Sequence, residues 1–240
     1  MPTLAVENYL KTILMLESSS PGEGRKPIVT GKIAATLKVA PGTVTAMIKS
    51  LGSAGLVRYR RYEGIRLTPK GRAAALNVLR RHRLVELFLV EVLGMNWTEV
   101  HEEAETLEHA ISARVLERLD ALLGHPTIDP HGDPIPQATG RLPPRSLVYL
   151  RESITGDRCV VARLVDQSPE FLKMAERHNL RPGTTIEVRN RDDASGVLHM
   201  LVNGKEVSVS TAVASRIEVA GLARKERASQ KRRRISKGKA

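Results

Sequence analysis

Histidine and glutamate side chains at helical spacing are the residues of this sequence that could do chemistry. His82 and Glu86 are four positions apart, so a helix would place them one above the other on the same face. The next amphipathic segment, read as one helix, carries a second stripe of two histidines and two glutamates: His101, Glu105, Glu108 and His109. Imidazole and carboxylate ligands suit a divalent first-row metal ion, and these stripes contain no thiolate that would favour zinc or copper(I). The spacing predicts a metal site on two long helices; the alternative is an ordinary solvated face of charged residues.

The segment before these helices has the pattern of a DNA-binding head. A first helix over residues 4–16 is followed by a short helix capped by Thr30, a tight turn, and a second short helix for whose first turn Pro41 is suited. Residues 56–67 then alternate as two strands around Tyr62-Glu63-Gly64. Two short helices joined by a tight turn and followed by a basic hairpin describe a winged helix-turn-helix.

The second short helix would enter the major groove of double-stranded DNA. Candidate DNA contacts on the head are Thr30, Pro41, Gly42, Thr43, Thr45, Ala46, Lys49, Arg58, Arg60 and Arg61. Small side chains on this helix allow close approach and contact with thymine methyl groups, while Lys49 and the three arginines of the wing would hold phosphates. The alternatives are a winged helix used only for protein contacts and a wing whose arginines are merely solvated.

The rest of the chain predicts a dimerisation region and a small β-domain. Helices over residues 71–93 and 98–123 carry more apolar surface than the head can cover, which indicates a dimer interface. A proline-rich linker occupies residues 125–144. The period then changes to two, with short strands at 147–150, 159–165, 185–188, 197–202 and 207–209 and one helix at 169–178. These strands predict a small barrel.

Composition narrows the class of protein. The 240 residues carry a net charge of +12, and nine Lys or Arg with one Glu lie between Ala223 and Ala240, so a basic tail carries most of the excess. This tail is expected to be disordered and either contacts the DNA backbone or stays solvated. Aromatic residues make up 3%, too few for a platform that stacks single-stranded nucleic acid. A lone cysteine, Cys159, and the lack of a signal-like or membrane-spanning apolar run favour a cytoplasmic protein without a membrane partner.

Several runs of residues resemble the diphtheria toxin repressor family of metal-dependent transcriptional regulators. They are Val44-Thr-Ala-Met-Ile-Lys-Ser-Leu, Gly55-Leu-Val, Leu67-Thr-Pro-Lys-Gly71, Arg80-Arg-His82-Arg-Leu-Val-Glu86, Val100-His101-Glu-Glu-Ala-Glu105-Thr-Leu-Glu108-His109 and His131-Gly-Asp-Pro-Ile-Pro136. Leu180-Arg-Pro-Gly-Thr and Val209-Ser-Thr-Ala-Val-Ala resemble the SH3-like domain that ends the longer members. The resemblance covers residues 3 to about 221. It implies a homodimer that represses metal-uptake genes and binds a palindromic DNA operator when loaded with divalent metal.

With this resemblance the predicted fold class is α+β, in four segments. They are a winged helix-turn-helix domain at 1–73, a helical metal-binding and dimerisation domain with its linker at 74–144, an SH3-like β-barrel at 145–221 and the basic tail at 222–240. The resemblance also implies two neighbouring metal sites. The first comprises His82, Glu86 and His101, completed by Gln167 and Glu170 with Asp166 as a rival. The second comprises Glu105, Glu108, His109 and Asn8.

The second of these sites bears on the choice of metal. Iron-responsive members of the family carry Cys where this chain has Glu105. Manganese-responsive members carry Glu there, together with two acids on the first helix where this chain has Asn8 and Lys11. The implied cofactor is Mn²⁺ or Fe²⁺.

Two other functions fit parts of the sequence. The run His101-Glu-Glu-Ala-Glu105 resembles the H-E-x-x-H motif of zinc metallopeptidases with its last histidine replaced, although no segment supplies a substrate-binding strand or cleft. A metal-independent winged-helix regulator, whose barrel binds a peptide or small ligand, is the other alternative. DNA binding in a chelator separates these functions, because only the metal-independent regulator would retain it.

Overall fold

The computed structural model describes residues 3–18, 27–60, 63–143 and 145–221. Within these ranges the helices are α1 (Leu4–Ser18), α2 (Thr30–Leu37), α3 (Pro41–Ser53), α4 (Pro69–Glu91), α5 (Val100–Leu107), α6 (Ala113–Leu122), α7 (Pro169–Arg177) and α8 (Thr211–Ala214). The strands are β1 (Val57–Arg60), β2 (Gly64–Leu67), β3 (Val148–Tyr149), β4 (Arg158–Leu164), β5 (Thr185–Asp192), β6 (Val197–Val202), β7 (Lys205–Ser210) and β8 (Ile217–Gly221). The α+β class is confirmed. None of the described helices is both long and apolar enough to cross a membrane.

The first three helices and the β1–β2 hairpin form the predicted winged helix-turn-helix. Leu10 and Ile13 of α1 share one buried core with Ile33 of α2 and with Val44 and Leu51 of α3. The antiparallel pairing of β1 with β2 makes the wing. The α3 helix begins at Pro41, as the sequence predicted.

The predicted cap of α2 is wrong by one residue. Val29, in an extended conformation, is the N-cap and makes no side-chain cap hydrogen bond, so Thr30 is the first helical residue. Ile28 forms an antiparallel bridge with Ile65 of the wing. This bridge keeps the chain extended up to Val29, which places the start of the helix there.

The segment predicted as one helix from Thr98 to Leu123 forms two, α5 and α6. The hydroxyl oxygen of Ser112 accepts a hydrogen bond from the backbone N–H of Val115 at 3.3 Å and caps α6. Such a cap satisfies a donor at a new helix start and competes with continuation of the preceding helix. Glu108 and His109 therefore lie directly after α5, although the N–H of Glu108 still donates to the carbonyl of Ala104 at 2.9 Å.

The C-terminal strands form one antiparallel sheet in the order β3-β8-β4-β5-β6-β7. Its edge strands do not pair with each other, so the SH3-like domain is present as an open sheet and the predicted barrel is not closed. A hairpin turn at Asn203-Gly204 joins β6 to β7, with φ of 49° and 80°, which favours these two residue types. Strand β8 and helix α8 had no counterpart in the sequence prediction.

The chain divides into two compact units. The first, called here the helical unit, comprises Met1–Phe88, Glu102–Thr127 and Ile135–Pro143. The second, called the sheet unit, comprises Leu89–His101, Ile128–Pro134 and Pro144–Ala240. The sheet unit has its own apolar core, to which Leu150, Val161, Ile186 and Leu198 contribute. The domain boundaries at 73, 144 and 221 stay predictions.

Candidate metal centre

The helical unit buries two potential metal ligands side by side on α4. His82 and Glu86 are 5% and 2% exposed. Nε2 of His82 lies 3.1 Å from Oε1 of Glu86, as their helical spacing requires. A nitrogen and an oxygen ligand at this separation fit a divalent cation, which would supply the positive charge that buried carboxylates need.

Glu108 connects this pair to the first helix of the head. Its Oε2 lies 2.6 Å from Nδ1 of His82, and its Oε1 accepts a hydrogen bond from Nζ of Lys11 at 2.8 Å. Lys11 also donates to Oε1 of Glu105 at 2.6 Å. A carboxylate on one imidazole nitrogen fixes the orientation of the ring and directs the other nitrogen at a cation. The five side chains Lys11, His82, Glu86, Glu105 and Glu108 are called the helical cluster below.

The helical cluster controls the protonation of His82. Burial alone lowers the pKa of this imidazole, because the charged ring loses its hydration. The charge of Glu86 and the hydrogen bonds to Glu108 and Glu86 outweigh burial, and the charge of Lys11 opposes them only in part. Together, these interactions raise the pKa of His82 from 6.5 to about 9. The ring of the metal-free protein is thus protonated at neutral pH, and a cation that binds it must displace a proton.

His109, predicted for the second site, contacts α1. Its Nδ1 lies 2.7 Å from Oε2 of Glu7, and the other oxygen of Glu7 accepts a hydrogen bond from Arg81 at 2.6 Å. Nε2 of His109 is buried and makes no hydrogen bond within the described part of the chain, although it lies 3.3 Å from Oε1 of Glu108. Oδ1 of Asn8 is likewise buried without a hydrogen-bond partner among the described residues. Both atoms are potential ligands.

The remaining predicted ligands belong to the sheet unit. His101 lies exposed in the first turn of α5, and Glu170 lies exposed in the first turn of α7. Nε2 of Gln167 donates to Oδ2 of Asp133 at 2.5 Å. A shared site of these three residues with His82 and Glu86 stays a prediction.

Asp166, the rival ligand, is engaged at both oxygens. Its Oδ1 accepts the backbone N–H of Ser168 at 2.9 Å, and its Oδ2 accepts Nη1 of Arg216 at 2.6 Å. Burial alone would raise the pKa of Asp166, but these hydrogen bonds and the charge of Arg216 lower it. This pattern fits a carboxylate that holds the entry to α7.

The candidate DNA contacts on α3 are exposed, as predicted: Pro41, Gly42, Thr43, Thr45, Ala46 and Lys49. Arg58 and Arg60 lie exposed on β1, and Thr30 is half-buried at the start of α2. A cleft of about 650 Å³ in this head is lined by residues that include Thr45, Lys49 and Arg60. Arg61 and the basic tail at 222–240 lie outside the described residues.

Sequence reasoning missed two contributions of α1. It noted Lys11 only as a residue that stands where manganese-responsive relatives carry an acid, and it did not identify Glu7. The available signal was Lys11 itself, a cation within the apolar stripe of Leu10, Ile13 and Leu14. A charged residue on the buried face of a helix requires partners of opposite charge from another element.

Family models describe three consecutive parts of the chain. Residues 2–65 match "Iron dependent repressor, N-terminal DNA binding domain". Residues 68–137 match "Iron dependent repressor, metal binding and dimerisation domain". Residues 148–221 match the FeoA domain.

Individual relatives agree with these models. The chain is 42% identical over 130 residues to the iron-dependent repressor IdeR of Mycobacterium leprae, an alignment that covers 54% of this chain and 54% of that relative. It is 29% identical over 231 residues to the diphtheria toxin repressor of Corynebacterium diphtheriae, covering 90% and 96%. A solved structure of a manganese-dependent transcriptional repressor in complex with manganese has a TM-score of 0.80 and 36% identity, covering 90% of this chain and 100% of that one.

Proposed function

This chain belongs to the iron-dependent repressor family that includes the diphtheria toxin repressor, and on that premise we propose that it is a metal-dependent, DNA-binding transcriptional repressor. It would act in the cytoplasm on genes of metal uptake. Divalent metal would be its signal and a palindromic operator its target.

One observation carries this proposal: side chains in direct contact join the metal-type residues of α4 to the DNA-binding head. His82 contacts Glu108 at 2.6 Å, and Glu108 contacts Lys11 at 2.8 Å. Lys11 lies on α1, whose neighbouring Leu10 and Ile13 are part of the core of the head. A change of charge at His82 and Glu86 is therefore felt by a helix that positions the DNA-binding surface.

His82 and Glu86 would hold the metal ion, with His101, Gln167 and Glu170 as further ligands. The ion would supply positive charge to a cluster in which three carboxylates face one ammonium and one imidazole. Metal favours DNA binding only as far as it binds the competent state of the protein more tightly than the other states.

For the metal itself we infer Mn²⁺, followed by Fe²⁺. The cluster offers imidazole and hard carboxylate oxygens, and Glu105 stands where iron-responsive relatives carry sulfur. A relative named manganese-dependent and another named iron-dependent support this pair of metals. Affinity alone rises along the series towards Cu²⁺, so activation of DNA binding is the quantity that decides.

A homodimer would present two heads to one operator. Val115 and Leu122, two turns apart on α6, are 48% and 64% exposed, and this apolar face suits a second copy of the chain. Two heads related by a two-fold axis would meet successive major grooves about 34–36 Å apart. The candidate DNA contacts, including Lys49, Arg58, Arg60 and Arg61, would then read two half-sites.

The metallopeptidase alternative loses its support. The family descriptions name repressors. In addition, Glu105, which would replace the last histidine of the peptidase motif, pairs with the ammonium of Lys11 at 2.6 Å.

The test is DNA binding with and without metal. Duplexes are selected from a random-sequence library by the full chain in Mn²⁺, and in parallel in EDTA. The dissociation constant of the enriched duplex is then measured by fluorescence anisotropy under both conditions. We expect binding to be roughly 5- to 150-fold tighter in Mn²⁺, the usual range of coupling between two sites. Equal affinity in EDTA would favour the metal-independent regulator.

A further inference from the structure

Lys11 is a buried cation held by acidic side chains. It is 5% exposed, and its Nζ lies 2.6 Å from Oε1 of Glu105 and 2.8 Å from Oε1 of Glu108. An ammonium inside a protein is stable only when it is paired and hydrogen-bonded. The two carboxylates provide both interactions. Glu105 lies on α5 and Glu108 directly after it, whereas Lys11 lies on α1.

The same carboxylates belong to a set of atoms that could hold a metal ion. One atom each from His82, Glu105 and Glu108 lies within 4.8 Å of the others. Two further potential ligands, Oδ1 of Asn8 and Nε2 of His109, are buried and form no hydrogen bond with any residue that the structure describes. Asn8 lies three residues before Lys11 on α1, and His109 directly follows Glu108. These ligand atoms suit a cation, and the ammonium group of Lys11 already provides one.

We propose that the ammonium of Lys11 takes the place of a second metal ion between α1 and the end of α5. The inference rests on the proposed function, since it concerns how many ions the repressor binds. A divalent metal ion bound to the carboxylates of Glu105 and Glu108 would lie beside the ammonium of Lys11, and the two positive charges would repel each other. The wild-type protomer then binds one metal ion, at His82 and Glu86, and Lys11 supplies permanently the link to α1 that a second ion would supply conditionally.

Removal of the ammonium should open the second position. In Lys11→Ala, Glu105 and Glu108 lose their shared cation, while Asn8 and His109 still offer two buried ligand atoms. Lys11→Arg keeps the positive charge, so it should still exclude an ion. Lys32→Ala is a matched control, because Lys32 is exposed on α2.

The experiment counts bound ions in the purified full-length chain. Each variant is dialysed to equilibrium against Mn²⁺, and protein-bound manganese is measured by inductively coupled plasma mass spectrometry. We expect one ion per protomer for the wild type, Lys11→Arg and Lys32→Ala, and two for Lys11→Ala. The increase in Tm on adding Mn²⁺ should also be larger for Lys11→Ala than for the wild type, because a second ion stabilises the folded state.

Each possible ion count either supports or overturns the proposed role of Lys11. Two ions per wild-type protomer, or one in Lys11→Ala, would overturn the role of Lys11 while leaving the proposed repressor intact. No bound ion in the wild type would overturn both. Circular dichroism checks that the variants fold, and Lys11→Met, which keeps the length and apolar stem of the side chain, replaces Lys11→Ala if alanine unfolds the head.

Discussion

Two clusters of buried polar side chains, one in each compact unit, are held by different kinds of hydrogen bond. In the helical cluster, side chains bond to one another: Lys11 to Glu105 and Glu108, and Glu108 to His82. In the sheet unit, Asp129 and His131, called here the loop cluster, form hydrogen bonds to the backbone. Oδ1 of Asp129 accepts the N–H groups of His131 and Asp133 at 2.9 Å, and Nε2 of His131 lies 2.8 Å from the carbonyl oxygen of Trp97.

This difference separates a charge-sensitive group from a structural one. Hydrogen bonds to the backbone fix the path of a loop, and here the loop approaches β4 so closely that a side chain at Gly132, whose φ is 88°, would collide with the carbonyl oxygen of Ala162. Charges that bond to one another depend on protons and on cations. The helical cluster is thus the group on which the proposed metal signal would act.

The largest effect is expected from Glu108→Ala, which breaks the helical cluster at its centre. Among the described residues, the variant leaves Lys11 paired with the carboxylate of Glu105 alone, and it removes one hydrogen-bond partner of His82. Breaking a buried ion pair costs about 3–5 kcal/mol of unfolding free energy. Urea unfolding of the metal-free protein, followed by circular dichroism, measures the loss.

The control for this variant is Glu102→Ala, since Glu102 is an exposed glutamate on α5. Its unfolding free energy should stay within about 0.5 kcal/mol of the wild type. A similar small loss for Glu108→Ala would mean that the helical cluster contributes little to stability, and the comparison with the loop cluster would fail.

A pH titration of the metal-free protein distinguishes the two clusters next. The folded state holds the proton on His82 with a pKa of about 9, against 6.5 ordinarily. This interaction therefore stabilises the fold fully below pH 6.5 and is lost as pH rises towards 9. We expect the unfolding free energy in EDTA to fall by at most about 1.4 kcal/mol per pH unit in this window. His82→Gln should flatten this part of the profile, and a wild-type profile that is already flat would contradict the account.

The loop cluster should respond to mutation in stability alone. Asp129→Ala leaves two buried backbone donors without their acceptor, at a cost of about 1–3 kcal/mol. Asp129→Asn keeps an acceptor oxygen and should lose less. In both variants the Mn²⁺ concentration for half-maximal DNA binding should match that of the wild type. A shift of this midpoint would assign Asp129 to the metal response and remove the distinction between the clusters.

Local patterns predicted much of the helical unit. The apolar spacing of α1 to α3 and the position of Pro41 gave the head, and the interval of four between His82 and Glu86 gave their contact. The prediction of a single helix from Thr98 to Leu123 was wrong at Ser112. The apolar periodicity continues through this position, but the side chain of Ser112 caps a new helix there. Strand β8 was missed because it is defined by pairing with β3 and β4, which lie far away in the sequence.

The contacts of the candidate site likewise divide into local ones that the sequence predicted and distant ones that it did not. Lys11 and Glu108 are separated by 97 positions, and no spacing rule relates residues so far apart. The family resemblance implied that Glu108 is a ligand, yet it could not reveal that a lysine of α1 neutralises it. Tertiary packing decides which buried charges meet.

In the proposed repressor the metal signal enters through His82 and Glu86. The DNA affinity of His82→Ala tests this most directly, measured by fluorescence anisotropy across a Mn²⁺ titration with the duplex selected by the wild type. His125→Ala is the control, because His125 belongs to the same unit and its side chain is 73% exposed. We expect His82→Ala to stay dimeric and folded but to bind the duplex equally weakly in Mn²⁺ and in EDTA, while His125→Ala responds like the wild type. A Mn²⁺ response of His82→Ala with an unchanged midpoint would contradict this expectation.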